Sequence, residues 1–257
     1  MSFVEIDNRR LEYEALDGDP RRPGLVFLHE GLGSVALWRD FPARVAAATG
    51  RRALVYSRLG HGRSDPPGAP RTPRFMHEEA LDVLPALLDR FDVREPVLVG
   101  HSDGASIALI HAGTAGRPVA GLVLLAPHVF VEDVSIEGIT AARRAFEQTD
   151  LPERMSRYHR DAHATFRSWN DIWLAPEFRD WSIEDTLKGV SCPVLLVQGD
   201  RDEYGTLEQL AAIESGVRGS TERLVLPSGH APQLECADET VAAVSDFLAR
   251  TERDDET

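Results

Sequence analysis

The sequence predicts an α/β fold, a mostly parallel, doubly wound sheet with a helical cap inserted between two late strands. Three observations lead there. Short, continuous apolar runs recur at residues 25–28, 53–56, 96–99, 121–126, 193–197 and 224–226, the pattern of strands covered on both faces. Segments with helical spacing separate most of these runs. Between Pro127 and Gly189 the alternation stops, and helical patterns rich in Arg, Trp and His take over. An insertion at that point lies over the strand ends, where open α/β sheets bind their ligands. The expected division is a core of residues 1–127 and 190–250, a cap of 128–189 and an unstructured tail of 251–257.

The elements follow in order. Residues 3–6 and 11–15 alternate apolar and polar side chains around DNRR and read as an antiparallel hairpin at a sheet edge. The strand at 25–28 ends in HEGLGS at 29–34, and a helix follows with Leu37, Phe41, Val45 and Ala48 on one buried face. The strand at 53–56 leads into SRLGHGRSD at 57–65 and a proline-rich stretch. A helix over 77–91 carries Leu81, Leu84, Leu87 and Leu88 on one stripe, with Pro85 inside it predicting a kink. A last helix over 240–250 buries Val241, Val244, Phe247 and Leu248.

Composition narrows the function classes. A chain of 257 residues at 42% hydrophobic and 27% charged is ordinary globular material, enough for one large α/β domain. A net charge of −14 argues against nucleic-acid and anionic-membrane partners. Cys192 and Cys236 make no disulfide framework. The first residues lack the pattern of a signal peptide, and no apolar run approaches a membrane span. A cytoplasmic location is therefore expected. Oligomeric state is not readable.

The residues that carry chemistry centre on 95–116. A buried strand, the turn GHSDG at 100–104 and a small-residue helix make a G-x-S-x-G nucleophile elbow. Its glycines leave space where strand and helix crowd each other, and Ser102 is thrown up on a strained turn. A serine hydroxyl needs a base, and the base needs an orienting acid. His230 follows a late strand in the Ser…Asp…His chain order and is the expected base. The acid belongs after the preceding strand, where GDRDE at 199–203 offers Asp200, Asp202 and Glu203; Glu132 and Asp133 are a less favoured location. Two N–H groups should hold the oxyanion, that of Asp103 and one from the loop after the 25–28 strand, with Gly31 the first choice.

Four motifs in this order resemble the α/β-hydrolase superfamily: HEGLGS at 29–34, SRLGHGRSD at 57–65, GHSDG at 100–104, and GDRD with SGH at 199–202 and 228–230. The resemblance runs from about residue 3 to residue 250. It implies the α/β-hydrolase fold, a Ser102–His230–Asp202 triad and acyl-enzyme hydrolysis. In such enzymes the acid commonly sits three residues after the glycine of the late strand, which selects Asp202 over Asp200. Many relatives have glycine directly after the loop histidine, where this chain has Glu30, and that leaves Gly31 and Leu32 both open as the second oxyanion donor. Relatives with an aspartate nucleophile carry it where this chain has Ser102.

A serine carboxylesterase acting on a small-molecule ester is the leading expectation. A carbon–carbon bond hydrolase of ring-cleavage products, an aminopeptidase-like enzyme and a slow-turnover ligand receptor share the same triad. Glu30 and Asp103 put two anions beside the oxyanion hole, which favours a neutral ester over a carboxylate-bearing one. Leu32 and His128 are expected to border the substrate, as are some of the cap residues Trp169, Trp173, Trp181, Phe166 and Ile172, with Trp169 and Trp173 the first choices and the rest holding the cap together. His159 and His163 stand four apart in a helical stretch, but no third ligand is evident, so neither a metal nor a cofactor is expected.

Overall fold

In a computed structural model, which describes residues 2–255, five of the six apolar runs become inner strands of an eight-stranded sheet and the sixth, 224–226, falls on its edge; numbered in chain order from β1 (Ser2–Ile6) to β8 (Thr221–Leu226), the strands lie in the order β1-β2-β4-β3-β5-β6-β7-β8. β3 (Leu25–Leu28), β4 (Ala53–Tyr56), β5 (Val97–His101), β6 (Gly121–Leu125) and β7 (Val194–Gly199) are buried along their whole length. Alternate side chains feed two cores. Val26, Leu28, Leu98 and Leu122 pack on one face, and Leu25, Phe27, Val97 and Val123 on the other. Helix Asp103–Thr114 fills the first face, with Ala105, Ile107, Leu109 and Ile110 all excluded from solvent. Each buried Ile or Leu side chain here contributes about 1.5–3 kcal/mol. Helices Phe41–Thr49 and Ala237–Asp255 cover the second face through Phe41, Val45, Val244 and Phe247.

β1 (Ser2–Ile6) and β2 (Arg9–Leu16) form the expected hairpin. Asp7 and Asn8 turn it with φ of 48° and 63°, the left-handed pair that short polar side chains tolerate. β2 pairs antiparallel with β4, and every pairing from β4 through β8 is parallel. From β3 the chain crosses to β4 on one side, and from β5 to β6 on the other. The loops leaving β3 and β5 therefore diverge, and a crevice opens between them.

Several expectations need correction. Leu37 lies in a separate 3-10 turn, Val35–Trp38, closed by Arg39 at φ 54°. The periodicity restarts at Phe41, so Ala46 is buried and Ala48 is exposed. The helix expected at 77–91 begins at Phe75, and its break is a wide π-helical turn, Glu79–Val83, just before Leu84–Arg90. Pro85 has no N–H for the carbonyl of Leu81, and the wider turn relieves the clash of its ring. β8 runs from Thr221 to Leu226 and is an edge strand with Val225 39% exposed, not a buried one.

The tail is not unstructured from Thr251, because the last helix continues to Asp255. Its Glu252 accepts a 2.8 Å hydrogen bond from Arg51, a guanidinium only 2% exposed that needs a counter-charge there. The last two residues of the expected tail, 256 and 257, lie outside the described residues.

The stretch between β6 and β7 is helical as expected, with Asp133–Gln148, Leu151–Met155 and Ala162–Trp173 as its main elements. Asp161 caps the third by accepting from Ala164 N–H at 2.9 Å. Among the described residues, no helix is long and apolar enough to cross a membrane.

Candidate active site

Ser102 sits between β5 and helix Asp103–Thr114 at φ 53° and ψ −119°. That conformation costs a non-glycine residue free energy, and the surroundings enforce it. Its N–H donates to Leu125 O at 2.9 Å, and its carbonyl accepts from Ala105 and Ser106 at 2.8 and 3.1 Å. Any side chain at Gly104 would run into the main chain of Leu28, so glycine is required there for the helix to dock on β3.

His230 follows β8, and Asp202 follows β7. His230 Nδ1 lies 2.8 Å from Asp202 Oδ1. A carboxylate oxygen only accepts, so Nδ1 carries the proton and Nε2 is left to take another. Asp202 is held in turn by Tyr204 N–H at 2.9 Å and Gln198 Nε2 at 3.2 Å, and its side chain is 1% exposed. Burial works to lower the pKa of His230, but the hydrogen bond and charge of Asp202 outweigh it and raise the value above the ordinary one. Burial pushes Asp202 up, and His230 more than compensates, so the carboxyl ends lower than usual. Three of the four other acid candidates are engaged elsewhere, and Glu203 makes no hydrogen bond to His230 among the described residues. Asp200 pairs with Arg201 at the surface, Glu132 binds Thr206 and Gln209, and Asp133 pairs with Arg179.

Ser102 and His230 line one cavity of roughly 100 Å³. The hydroxyl forms no hydrogen bond to the ring among the described residues, a looseness common before substrate arrives. Glu30, Gly31, Leu32, Asp103, His128, Trp169 and Trp173 border this cavity, whereas the other cap candidates, Trp181, Phe166 and Ile172, do not. Ile139 and Tyr204 border it too and were missed. Tyr204 stands two residues after the acid and was findable. Ile139, one apolar residue on an amphipathic helix, gave no signal. A larger groove of about 920 Å³ runs between the proline-rich 66–71 segment and helix Ala162–Trp173, and contains none of the triad candidates.

The loop after β3 is oriented by its carbonyls. Glu30 O accepts from Arg58 at 2.8 Å and from Gly33 N–H at 3.0 Å. Gly31 O accepts from His61 at 3.0 Å, and Leu32 O from His159 at 2.9 Å. In a trans peptide the N–H points opposite to the preceding carbonyl, so pinning the carbonyls of Glu30 and Gly31 aims the N–H groups of Gly31 and Leu32. Those two N–H groups and that of Asp103 have no partner among the described residues. A side chain at Gly31 would strike the indole of Trp169, so the cap rests directly on this loop.

The remaining aromatic and charged groups separate into two sets. Trp181 stacks on Phe178 at 5.3 Å, and Phe166 on Phe146 at 3.9 Å, both as cap packing. His159 precedes helix Ala162–Trp173, so it and His163 do not share a helix face; His159 accepts from Gly62 N–H at 3.0 Å. Asp103 is fully buried and accepts from Trp173 Nε1 at 3.1 Å, with Arg58 Nη2 at 3.8 Å from its other oxygen. Glu30 lies 3.4 Å from His101 Nδ1, and His101 Nε2 donates to His230 O at 2.7 Å. Burial alone would raise the pKa of Glu30, but the contact with His101 prevails and holds it at about 2.

A parallel sheet, a serine at positive φ at the switch point and a histidine–carboxylate pair at the same edge match the layout of one family. The chain belongs to the α/β hydrolase family, whose model matches residues 25–244. It is 32% identical to a mouse (Mus musculus) sn-1-specific diacylglycerol lipase over 151 residues, 56% of this chain and 45% of that one. The match thus spans less than half the length of that relative. The human (Homo sapiens) serine hydrolase BPHL is 29% identical over 201 residues, 76% of this chain and 68% of that protein. Among solved structures, the enol-lactonase of Burkholderia xenovorans superposes with a TM-score of 0.77 at 18% identity, covering 96% of this chain and all (100%) of that one. At such identity the last likeness speaks for the fold alone.

Proposed function

We propose that the protein is a serine hydrolase that cleaves a carboxylic ester through an acyl-enzyme. One observation carries this reading: a histidine fixed by a buried carboxylate at 2.8 Å lines the same small cavity as a serine held at positive φ. His230 Nε2 takes the proton as Ser102 Oγ attacks the ester carbonyl. Asp202 keeps the ring in the required tautomer and stabilises its charged form. The N–H of Asp103, with that of Gly31 or Leu32, receives the developing oxyanion; one such donor is worth a factor of about 10²–10³. His230 then protonates the departing alcohol, activates water against the acyl-enzyme and restores the serine.

The cavity limits what can be enclosed beside Ser102 to a small group. The ionised Glu30 in its wall opposes a carboxylate near the scissile bond, which weighs against ring-cleavage dienoates. The lipase among the similar proteins acts on ester bonds, in keeping with this reading.

Pre-steady-state hydrolysis of p-nitrophenyl butanoate tests it. A burst of nitrophenol with an amplitude near one per active site, abolished in Ser102→Ala with the circular-dichroism spectrum unchanged, is the expected result. Turnover that survives Ser102→Ala contradicts it, and negligible turnover beside tight ligand binding points to a receptor instead.

A further inference from the structure

The active-site cavity holds polar groups that the proposed chemistry does not use. Of its donors, the oxyanion N–H groups, Ser102 and His230 serve the reaction, Trp173 Nε1 is held by Asp103, and the Tyr204 hydroxyl and Trp169 Nε1 have no partner among the described residues. Of its acceptors, Asp103 takes the Trp173 donor and faces Arg58, while Glu30 and His128 have no assigned use. Glu30 is 28% exposed by side chain and, beyond its 3.4 Å approach to His101 and its own backbone N–H, receives no hydrogen bond among the described residues. His128 is 2% exposed, and its Nε2 lies 3.0 Å from Tyr204 O. A carbonyl only accepts, so Nε2 bears the hydrogen and Nδ1 presents a lone pair. Burial lowers the pKa of this ring, and Nδ1 is buried without a partner among the described residues. An unmatched buried acceptor is costly, and a ligand that donates to it recovers that cost. No Lys or Arg side chain lines the cavity, while the Trp169, Trp173 and Tyr204 rings do. A carboxylate, a free imidazole lone pair and aromatic faces together suit a cation with N–H donors.

We propose that Glu30 and His128 form a cation subsite, and that the substrate is an ester whose short acyl chain carries a primary ammonium group. This rests on the ester-hydrolase reading above. The acyl side is the one enclosed, because that part stays joined to Ser102 after the first step while the alcohol leaves. The chain is short, because Glu30 adjoins Gly31, a candidate donor to the scissile carbonyl.

The test compares p-nitrophenyl esters of 3-aminopropanoate, butanoate and monosuccinate, three acyl groups of similar length with charges of opposite sign or none. After correction for spontaneous hydrolysis, kcat/KM is expected to be at least about tenfold higher for the ammonium ester than for butanoate, with succinate lowest. Glu30→Gln is expected to shrink the ammonium-to-butanoate ratio about tenfold. A ratio near one in the wild type, or one unchanged by Glu30→Gln, overturns the proposal; an equal loss on both esters assigns Glu30 to positioning through His101. A binding arm is independent of turnover. In Ser102→Ala, propylammonium should quench the cavity tryptophans and 1-propanol should not, and adding Glu30→Gln should abolish the difference. Equal responses to the two probes overturn the subsite. Ester turnover by Ser102→Ala would instead sink the hydrolase reading and leave this arm to judge the subsite alone.

Discussion

Two carboxylate–imidazole pairs flank Ser102, and they are built differently. Asp202 and His230 meet at 2.8 Å, the carboxylate is sealed at 1% exposure, and Tyr204 and Gln198 hold it from behind. Glu30 and His101 approach only to 3.4 Å, and the carboxylate edge stays 28% exposed beside the cavity. His101 spends its other nitrogen on the His230 carbonyl, with Gln233 at 3.0 Å from the first. The sealed pair fixes one tautomer of one ring, which is what proton transfer needs. The open pair braces the His230 loop and leaves an anion facing whatever enters. One pair is suited to reaction and the other to selection, and substitutions should separate them.

The largest effects fall on the sealed pair. Ser102→Ala or His230→Gln should lower kcat by a factor of about 10⁴–10⁶, and Asp202→Asn by about 10³–10⁴, in steady-state assays with p-nitrophenyl butanoate. Glu30→Gln should cost at least about a hundredfold less than Asp202→Asn on that ester, since it leaves the base and its tautomer in place. Equal losses would erase the distinction between the pairs. Next comes the contact between cap and loop. Gly31→Ala forces its methyl against the Trp169 indole and should destabilise the fold by about 1–3 kcal/mol in urea titrations, with an altered tryptophan emission.

A comparable loss is expected for Trp173→Phe, which removes the 3.1 Å donor to the buried Asp103 carboxylate and should cost about 1–3 kcal/mol by the same titration. The smallest change is a displacement along the pH axis. His230 works as a base only when neutral, and Asp202 favours its protonated form. The acid limb of kcat/KM should therefore lie above pH 6.5 and move to lower pH in Asp202→Asn. A limb that rises in the variant would reverse the sign and contradict the coupling.

The same contrast marks how far the sequence could be read. The inner strands were legible because a strand buried on both faces must be continuously apolar, as in Val97, Leu98 and Val99. The placement of Ser102, His230 and Asp202 at one sheet edge was legible because each follows the end of a parallel strand. Edges were harder. The exposed Val225 and the helix beyond Arg250 depend on what lies beside them, an absent neighbour strand in one case and the buried Arg51 in the other. The second pair was only half visible. Glu30 stood out as an unusual residue after the loop histidine, but its approach to His101 and the unpaired Nδ1 of His128 come from long-range packing. No spacing rule brings Tyr204 O to His128, 76 residues away.

The central claim is that Ser102 is made reactive by His230. Labelling with a fluorophosphonate, read by intact mass and peptide mapping, tests it most directly. The account predicts one adduct per chain, on Ser102, with labelling lost in Ser102→Ala and slowed by orders of magnitude in His230→Gln. An adduct on another residue, or equal labelling rates with and without the His230 ring, would contradict it.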